Sequence, residues 1–394
     1  MIEPVSMPSG RPLVLAVTGT NGKTSVSTAT LQLLRGIGWR AAAYDSTGIT
    51  DVDGELHKPL VRRSPSYLPR MINYQARAGA KAMSVEAFVG LLAAGMFTHV
   101  EVDTAVCTGL EVDHLDVHKS AEAYWGAKLS LFERHLRPDG VAVMHVDCAL
   151  GDRVRAAVAR RGARLVTVGD GGEVALIKTR EEGSRLSGTL MIHEDEFDVT
   201  LPFTHSIAVT NALLAVVAVI SAGGNPPAVA KALSHVKPPP GRLETVAQAH
   251  GVTAMVDTAH NPGALRTALN AARSRSTGRL LVVFGAGGER DRQKRPLMGQ
   301  VAAQLADVVV LTDDNPRREP PARIRAEVRA GCPDCIEIPR REDAIVAALH
   351  MARAGDVVLI AGKGDETEQL VDTGSIPHDD REVIRRVLLT QEIL

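Results

Sequence analysis

The chain has 394 residues, of which 45% are hydrophobic and 23% are charged, and its formal net charge is −1. This composition is typical of a globular protein, and the length allows two or three domains with separate cores. The near-neutral charge and an aromatic content of only 3% argue against nucleic acid or a membrane surface as a partner, because both attract cationic faces and single strands also stack on aromatic rings. We therefore expect no nucleic acid and no membrane among its partners.

The sequence gives no indication of export. The longest apolar run, near Ala212 to Ala222, is too short to cross a bilayer. The first residues include Glu3 and no basic stretch, so they do not resemble a secretory signal. Four cysteines do not make a disulfide framework in a chain of this length. These features favour a reducing, cytoplasmic location.

An apolar run at 14–17 leads into the sequence G-T-N-G-K-T-S at 19–25 and then into a helical pattern. A strand, a glycine-rich turn and a helix N-terminus in this order predict a phosphate loop, because backbone N–H groups and the helix dipole attract polyphosphate. The general motif has a glycine where this chain has Val17, so the loop is a shorter variant. Lys23 would supply a charge for the terminal phosphates and Thr24 a hydroxyl ligand for Mg²⁺. The predicted nucleotide-binding residues of the loop are Gly19, Thr20, Asn21, Gly22, Lys23, Thr24 and Ser25.

Downstream of the loop, strand-like runs alternate with helical ones, which indicates an α/β fold with a mainly parallel sheet. The pattern predicts strands at 100–108 and 140–145 and a helix at 120–136. Short alternating strands at 174–179, 186–192 and 197–201 predict a small antiparallel sheet beside the parallel one. Helices at 207–222 and 226–234 follow.

A proline-rich junction, K-P-P-P-G-R at 237–242, then interrupts the pattern. Successive prolines cannot continue a helix, so we place a boundary here between one domain at 1–238 and a second at 239–394. In the second domain, predicted strands at 253–256, 280–284, 308–311 and 357–360 alternate with helices at 263–272, 296–305, 322–328, 341–352 and 380–389. This alternation predicts a Rossmann-like C-terminal domain. The C-x-x-C pair at 332–335 has no second pair with which to bind zinc, and it predicts a turn before a strand.

Several motifs follow one another along this framework. Glu86 comes after a strand-like run, the sequence T-G-L-E-V-D-H begins at Thr108 and ends at His114, and Lys128 follows on the next predicted helix. Together with the shorter phosphate loop, these spacings resemble the Mur ligase superfamily, and within it the MurE branch. That superfamily comprises ATP-dependent ligases that form amide bonds in peptidoglycan and polyglutamate synthesis. The resemblance covers nearly the whole chain and implies a P-loop central domain followed by the Rossmann-like domain.

The resemblance implies a site with two Mg²⁺ ions. In the family, the glutamate and the phosphate-loop threonine hold one ion, and the histidine and a carbamylated lysine hold the other. Carried over, these metal ligands are Thr24, Glu86, His114 and Lys128, and with Lys23 the last three form the predicted catalytic set. Oxygen ligands suit Mg²⁺, and a lysine carbamate offers two oxygens where an ammonium offers none. The alternative for Lys128 is an ordinary exposed helical lysine.

Further motifs resemble the family's nucleotide and acceptor sites. The family pattern assigns ATP contacts to Asn211, Arg242, Asp257 and His260. The runs D-D-N-P-R at 313–317 and G-K-G-D-E at 362–366 resemble those of members that add diaminopimelate, which implies acceptor contacts from Asp314, Asn315, Arg317, Gly362 and Glu366. Arg317 would grip a carboxylate, as a guanidinium fork does well, and Glu366 an ammonium. The alternative is that both residues lie in solvated loops inherited from an ancestor with other substrates.

The departures from the family concern mainly the donor acid. The family has an N-terminal domain that binds uridine diphosphate, and because the sequence begins shortly before the phosphate loop, we expect that domain to be absent. The family's E-V-S-S-H is E-A-F-V-G at 86–90, Ala208 replaces an asparagine, and Asp365 replaces the histidine of G-K-G-H-E. Ser64 and Pro65 occupy the place of the donor-binding loop. We therefore expect an acid other than a UDP-muramoyl dipeptide, and a partner protein could supply donor recognition.

These observations predict an ADP-forming acid–amino-acid ligase that works through an acyl phosphate. Its cofactors would be ATP and two Mg²⁺ ions, and its substrates a small carboxylate donor and an amino-acid acceptor. Two alternatives stay open. One is a polyglutamate-type or amidating ligase, and the other is a nucleotide-binding partner subunit without ligase turnover.

Overall fold

The computed structural model describes residues 2–57, 64–109, 121–183 and 185–389. His114, a predicted metal ligand, lies outside the described residues. The chain divides into two compact units, of which the first ends at Pro239 and the second begins at Pro240. Within each unit, hydrophobic clusters pack on both faces of the main sheet.

The described part of the first unit contains a sheet of eleven strands. The strands are β1 (Leu13–Thr18), β2 (Ala41–Asp45), β3 (Gly48–Thr50), β4 (Leu56–His57), β5 (Ala82–Glu86), β6 (Val102–Cys107), β7 (Leu136–His145), β8 (Arg164–Val168), β9 (Val174–Glu182), β10 (Arg185–Ile192) and β11 (Asp195–Leu201). The helices are α1 (Lys23–Gly36), α2 (Tyr67–Arg77), α3 (Val89–Ala93), α4 (Ala121–Ser130), α5 (Gly151–Arg161), α6 (Ser206–Ser221) and α7 (Pro226–Leu233). The spatial order of the strands is β11-β10-β9-β8-β7-β6-β1-β5-β2-β3-β4.

The centre of this sheet is parallel and covered on both faces. All six residues of β1 are buried. Leu13, Leu15 and Val17 pack on the face that carries α1 and α6, whereas Val14 and Ala16 pack on the other face. A central parallel strand of this kind is a continuous apolar run rather than an alternating one, which is why the run before the phosphate loop predicts a strand.

The three predicted antiparallel strands form, and they extend the main sheet. β9 pairs with β10 and β10 with β11 in antiparallel register, and Val168 of β8 is paired with Val174 of β9. The predicted helix at 120–136 is shorter than expected. Its α-helical part ends at Ser130, the segment Leu131–His135 is π-helical, and β7 already begins at Leu136.

The described part of the second unit contains a six-stranded sheet and a two-stranded one. The strands are β12 (Glu244–Ala249), β13 (Val252–Asp257), β14 (Leu280–Phe284), β15 (Val308–Leu311), β16 (Ile336–Glu337), β17 (Val357–Ala361), β18 (Glu368–Val371) and β19 (Gly374–Pro377). The helices are α8 (Pro262–Arg273), α9 (Lys294–Leu305), α10 (Pro321–Arg329), α11 (Arg341–Met351) and α12 (Asp380–Leu389). In the order β12-β13-β17-β14-β15-β16 only the β12–β13 pair is antiparallel, so the Rossmann-like prediction is confirmed.

No helix among the described residues has both the length and the apolar character that a bilayer span requires. The longest apolar helix, α6, is covered by the first unit itself, because every residue from Asn211 to Ser221 is buried. A helix that is hydrophobic all round belongs in a core of this kind.

A fully buried ion pair joins α11 to α12. Arg341 donates through Nε to Asp380 Oδ1 at 2.8 Å and through Nη2 to Asp380 Oδ2 at 2.7 Å, and neither side chain is exposed. Burial alone would raise the pKa of Asp380, but Arg341 and His378 outweigh it and hold the pKa well below its ordinary value. The pair therefore stabilises the second unit at neutral pH and loses this contribution as the pH falls below the ordinary carboxyl range.

Asp380→Asn should destabilise the second unit by about 3–5 kcal/mol at pH 7, because the Arg341 guanidinium would remain buried without its counter-charge. Urea unfolding followed by circular dichroism measures this loss. Asp53→Asn is the matched control, since Asp53 pairs with Arg40 at 3.1 Å on the surface and should cost less than about 1 kcal/mol. The difference in the free energy of unfolding between wild type and Asp380→Asn should decrease below about pH 4, because there the Asp380 carboxyl of the unfolded chain takes up a proton. Equal stability of the two variants at pH 7 would contradict the expectation.

Candidate functional site

The phosphate loop lies between the end of β1 and the start of α1. Gly22 has a left-handed φ of 83° and no side chain that could cap α1, so the first N–H groups of the helix remain available to an anion. The end of β6 holds the loop from the other side, because Thr108 N–H donates to Thr18 O at 2.9 Å and Thr20 N–H donates to Gly109 O at 2.8 Å.

Two glycines of the loop are required by close packing. A Cβ on Gly19 would lie 1.9 Å from Thr108 Oγ1, and one on Gly22 would lie 2.7 Å from Asn211 Oδ1. Asn211, which sequence analysis assigned to the nucleotide, thus lies against the loop at the buried side of α6. These contacts fix the backbone path that a phosphate would meet.

A hydroxyl and a carboxylate meet beside the loop. Thr24 Oγ1 donates to Glu86 Oε2 at 3.0 Å, and the Ser46 N–H donates to the same oxygen at 3.1 Å. The hydroxyls of Thr24 and Ser46 are 3.0 Å apart, and Glu86 is only 3% exposed. Because Mg²⁺ prefers oxygen ligands of this kind, Thr24 and Glu86 fit the metal that sequence analysis assigned to them.

Two lysines contact the phosphate loop. Lys23 Nζ donates to Thr20 O at 2.9 Å and lies 3.9 Å from Glu86 Oε1. Lys128 Nζ donates to Thr20 Oγ1 at 3.2 Å and to the hydroxyl of Tyr124, and Lys128 is 1% exposed. Lys128 is therefore not an exposed helical lysine. Ser25 is part-exposed in the first turn of α1.

In the second unit, Asp257 closes β13 and receives hydrogen bonds from Leu243 N–H at 2.9 Å and Ala259 N–H at 2.8 Å. Burial raises the pKa of this carboxyl, while the charge of Arg242 opposes the rise. Arg242 and Asp257 are thus neighbours, as the predicted nucleotide contacts require. His260 is exposed, and its Nδ1 lies 2.8 Å from Thr258 O.

The predicted acceptor residues come together on two loops of the second unit. Asn315 Nδ2 donates to Glu366 Oε2 at 2.8 Å, which joins the D-N-P-R loop to the G-K-G-D-E loop. A Cβ on Gly362 would lie 2.3 Å from Asp314 Oδ2, so the loops touch there as well. Arg317 has a left-handed φ of 53°, and its Nη1 donates to Gly288 O at 2.8 Å.

Electrostatics distinguishes Arg317 from an ordinary surface arginine. Partial burial and the charge of Arg290 lower the pKa of Arg317, while Asp314 and Glu366 oppose that shift. The interacting positive charges of Arg317 and Arg290 favour an anionic ligand near them. The acidic groups Asp314 and Glu366 nearby favour a ligand that is also cationic at another point.

The weakly predicted donor residues begin a helix. Ser64 O accepts a hydrogen bond from Tyr67 N–H at 2.9 Å at the start of α2, and the hydroxyls of Ser64 and Ser66 are 3.0 Å apart. Pro65 is exposed between them. These contacts place the predicted donor residues at the N-terminus of α2.

Sequence analysis missed three groups near these sites. Asp45 ends β2 beside Glu86, since Tyr44 is paired with Val85 in the sheet. Burial raises the pKa of Asp45, Thr47 hydrogen bonds lower it, and the charge of Glu86 adds to the rise. The others are Tyr124 under Lys128, and Lys363 between the acceptor loops. Strand ends and long-range pairing create these positions, so the local sequence gave no clear signal for them.

The chain is similar to known proteins of one family along almost its whole length. The description of the Mur ligase middle domain matches residues 17–219, and that of the "Mur ligase, glutamate ligase domain" matches residues 241–364. The UDP-N-acetylmuramoyl-L-alanyl-D-glutamate–2,6-diaminopimelate ligase of Zymomonas mobilis is 38% identical over 384 residues, which are 96% of this chain and 79% of that protein. The chain belongs to the Mur ligase family.

Other relatives agree. The Brucella melitensis ligase of the same name is 36% identical over 95% of this chain and 78% of its own length. A solved structure of a ligase of that name superposes with a TM-score of 0.67 at 31% identity, covering 97% of this chain and 79% of that chain. A Mycobacterium tuberculosis folylpolyglutamate synthase structure has a TM-score of 0.70 at 20% identity over 90% of this chain and 89% of its own, which shows the common fold.

Family membership confirms the predicted class of reaction. Mur ligases are ATP-dependent enzymes that use Mg²⁺ and form amide bonds between small molecules. The roles of individual residues in this ligase are a separate matter, and they are proposed below.

Gly22→Ala should weaken the binding of a non-hydrolysable ATP analogue with Mg²⁺ at least tenfold, because the added methyl group would displace Asn211 from the loop. Isothermal titration of the nucleotide measures the effect. Gly10→Ala is a matched control, since Gly10 has a similar φ of 79° but a Cβ added there would have no described atom within 4 Å. Both variants place a side chain at a left-handed φ, so equal nucleotide affinity in the two would show that the contact with Asn211 is unimportant.

Proposed function

We propose that this Mur ligase joins a small carboxylic acid to an amino acid that carries a second charged end. The observation that supports it most is the cluster of Thr24, Glu86, Lys23 and Lys128 around one phosphate loop. A nucleotide-binding subunit without turnover would have no need to keep a buried carboxylate and two lysines in contact with that loop.

Different residues of the chain would have different roles in the reaction. The N–H groups of the loop and Lys23 bind the phosphates and offset the charge that develops as the γ-phosphoryl group moves to the donor carboxylate. Thr24 and Glu86 would hold a Mg²⁺ ion, and His114 with a carbamylated Lys128 a second. The metal supplies charge neutralisation at the phosphate oxygens. The acceptor amine then attacks the acyl phosphate, phosphate leaves, and an amide remains.

The acceptor would bind in the second unit. Asp314, Asn315, Arg317, Gly362 and Glu366 form the cluster described above, and its mixed charge suits a zwitterionic end such as that of diaminopimelate. Arg317 would meet the carboxylate, and Glu366 the ammonium. Asn211, Arg242, Asp257 and His260 would contact ATP.

The donor acid is proposed to differ from a UDP-muramoyl dipeptide. The support is the run Ala87 to Gly90, where apolar or small residues replace the two serines and the histidine of the family pattern. A partner protein for donor recognition and a cytoplasmic location stay predictions. The four cysteines, all of which are among the described residues, form no disulfide.

The function is tested by ADP release from purified protein with ATP, Mg²⁺, meso-diaminopimelate and a panel of carboxylic acids that includes UDP-muramoyl-L-Ala-D-Glu. We expect release that needs both acid and amine, that favours another acid of the panel, and that disappears in folded Lys23→Ala. Amine-independent release would contradict a ligase. Efficient use of the UDP-muramoyl dipeptide, with a KM of roughly 1 μM–1 mM, would contradict only the proposed donor.

Lys128 should carry a carbamate when bicarbonate is present in the protein solution. With ¹³C-bicarbonate, wild-type protein should give a carbamate NMR signal that Lys128→Ala lacks, and activity of the variant should fall at least a hundredfold. Lys178→Ala is a suitable control, because Lys178 lies on the surface with 66% of its side chain exposed. A wild-type spectrum without the signal, in the presence of Mg²⁺ and nucleotide, would exclude the modification.

A further inference from the structure

We infer that Lys363, to which sequence analysis gave no role, is a positioning residue for the acceptor. Its buried ammonium holds one oxygen of Glu366 so that the other oxygen is presented to the acceptor's second ammonium group. The inference rests on the acceptor class proposed above and adds the residue that makes recognition of that class possible.

Lys363 is fully buried and its ammonium is fully engaged. Nζ donates to Glu366 Oε2 at 2.7 Å, to Asn315 Oδ1 at 3.0 Å and to Glu368 O at 2.6 Å, and the side chain is 0% exposed. An ammonium has three hydrogens to donate, and these three acceptors use all of them. Lys363 therefore has no hydrogen left for a substrate, and its effect on a ligand must pass through its neighbours.

Glu366 is anchored at one oxygen only. Its Oε2 accepts hydrogen bonds from Lys363 Nζ and from Asn315 Nδ2. Among the described residues, none has a hydrogen bond to Oε1, and 48% of the side chain is exposed. Lys363 and Asn315 thus hold Oε2, and the half-exposed carboxylate leaves Oε1 for a ligand ammonium.

Asn315 is also held by hydrogen bonds, and it links Lys363 to Glu366. Its Oδ1 accepts from Lys363 Nζ and from Leu370 N–H at 2.8 Å, and its Nδ2 donates to Glu366. Gln369 Nε2 donates to Asp314 O at 2.6 Å, so the start of β18 fixes the neighbouring backbone too. The polar side chain of Asn315 is mostly committed to other protein groups.

The physical gain is preorganisation. A glutamate on an exposed loop samples many rotamers and loses that freedom when it binds a ligand. Anchoring Oε2 removes most of this freedom before the ligand arrives. A fully buried ammonium is unfavourable unless it is paired and hydrogen-bonded. The burial of Lys363 therefore favours its contact with Glu366.

The test compares two ligands that differ only in the distal ammonium, meso-diaminopimelate and 2-aminopimelate. Each is titrated calorimetrically into protein that holds Mg²⁺ and a non-hydrolysable ATP analogue. Wild type should bind diaminopimelate at least tenfold more tightly. Lys363→Met should lose most of that preference while its affinity for 2-aminopimelate and for the nucleotide is unchanged, and Lys363→Arg should recover part of it.

The controls separate positioning from general damage. Lys178→Met, which removes an exposed lysine 3.6 Å from Glu196, should leave the preference intact. Glu366→Gln should lose the preference as Lys363→Met does, and the double variant should lose no more than either alone. A crystal structure of the wild-type protein with diaminopimelate does not depend on whether any variant folds. It should show the distal ammonium in contact with Glu366 Oε1 and Lys363 Nζ still bonded to Glu366 Oε2.

Each contrary result has a distinct meaning. If wild type binds both ligands equally, or if Lys363→Met keeps the preference, the inference is wrong and the proposed ligase function stands. If the crystal shows Lys363 touching the ligand, Lys363 is a binding residue instead. If wild type binds neither ligand, the proposed acceptor class is wrong, and the inference falls with it.

Discussion

The parallel register of β5, β1 and β6 is the constraint on which the phosphate site depends. Val17 is paired with Glu86 on one side and with Val106 on the other, so the three strands end at one edge. The loop after β1, the carboxylate at the end of β5 and Thr108 after β6 therefore arrive together. A shift of one residue in β5 would turn Glu86 to the opposite face of the sheet, away from α1 and Thr24.

Buried cations give the second unit a comparable framework. Arg295, Arg341 and Lys363 are among the largest fully buried side chains. Arg295 and Arg341 each bond a carboxylate from another segment, and Lys363 bonds Glu366 within its own loop. Arg295 holds Glu319 so firmly that its hydrogen bonds lower the pKa of Glu319 to about 2. Because a buried charge needs its partner, these pairs constrain the segments that they join in the second unit.

Much of this fold could be predicted from the sequence because the buried strands are apolar runs between clear turn signals. The predicted strands at 280–284 and 308–311 agree with β14 and β15 to the residue. β2 escaped prediction because its sequence, A-A-A-Y-D, has little strand propensity and forms only by pairing with β5. The start of β7 was missed since Pro138 usually breaks a strand, yet here the register with β6 shifts between Val102 and Thr104 and accommodates it.

The site, like the fold, has some features that could be predicted from the sequence and others that could not. The family resemblance implied Thr24 and Glu86 at one metal ion, and it placed Asn315 and Glu366 among the acceptor residues; in the structure Thr24 contacts Glu86 and Asn315 contacts Glu366. The sequence could not indicate that Lys128 is buried against Tyr124, or that Lys363 supports Glu366. Those relations depend on which loops the sheets bring together, and a lysine in a glycine-rich run has the same local pattern whether it is solvated or buried.

The altered run after Glu86 has a structural use that bears on the donor. Ala87 N–H donates to Val17 O at 2.8 Å, and Thr18 Oγ1 donates to Ala87 O at 3.0 Å, so the backbone here is tied to β1. The ring of Phe88 lies 6.4 Å from that of Tyr44, whose other neighbour is Tyr67 at 6.3 Å. A substrate acid that reaches this edge meets aromatic surface in place of two hydroxyls and an imidazole. Under the donor proposed above, such a surface would favour an apolar or flat acid over a heavily hydrated sugar peptide, because the rings offer dispersion and stacking but few hydrogen bonds.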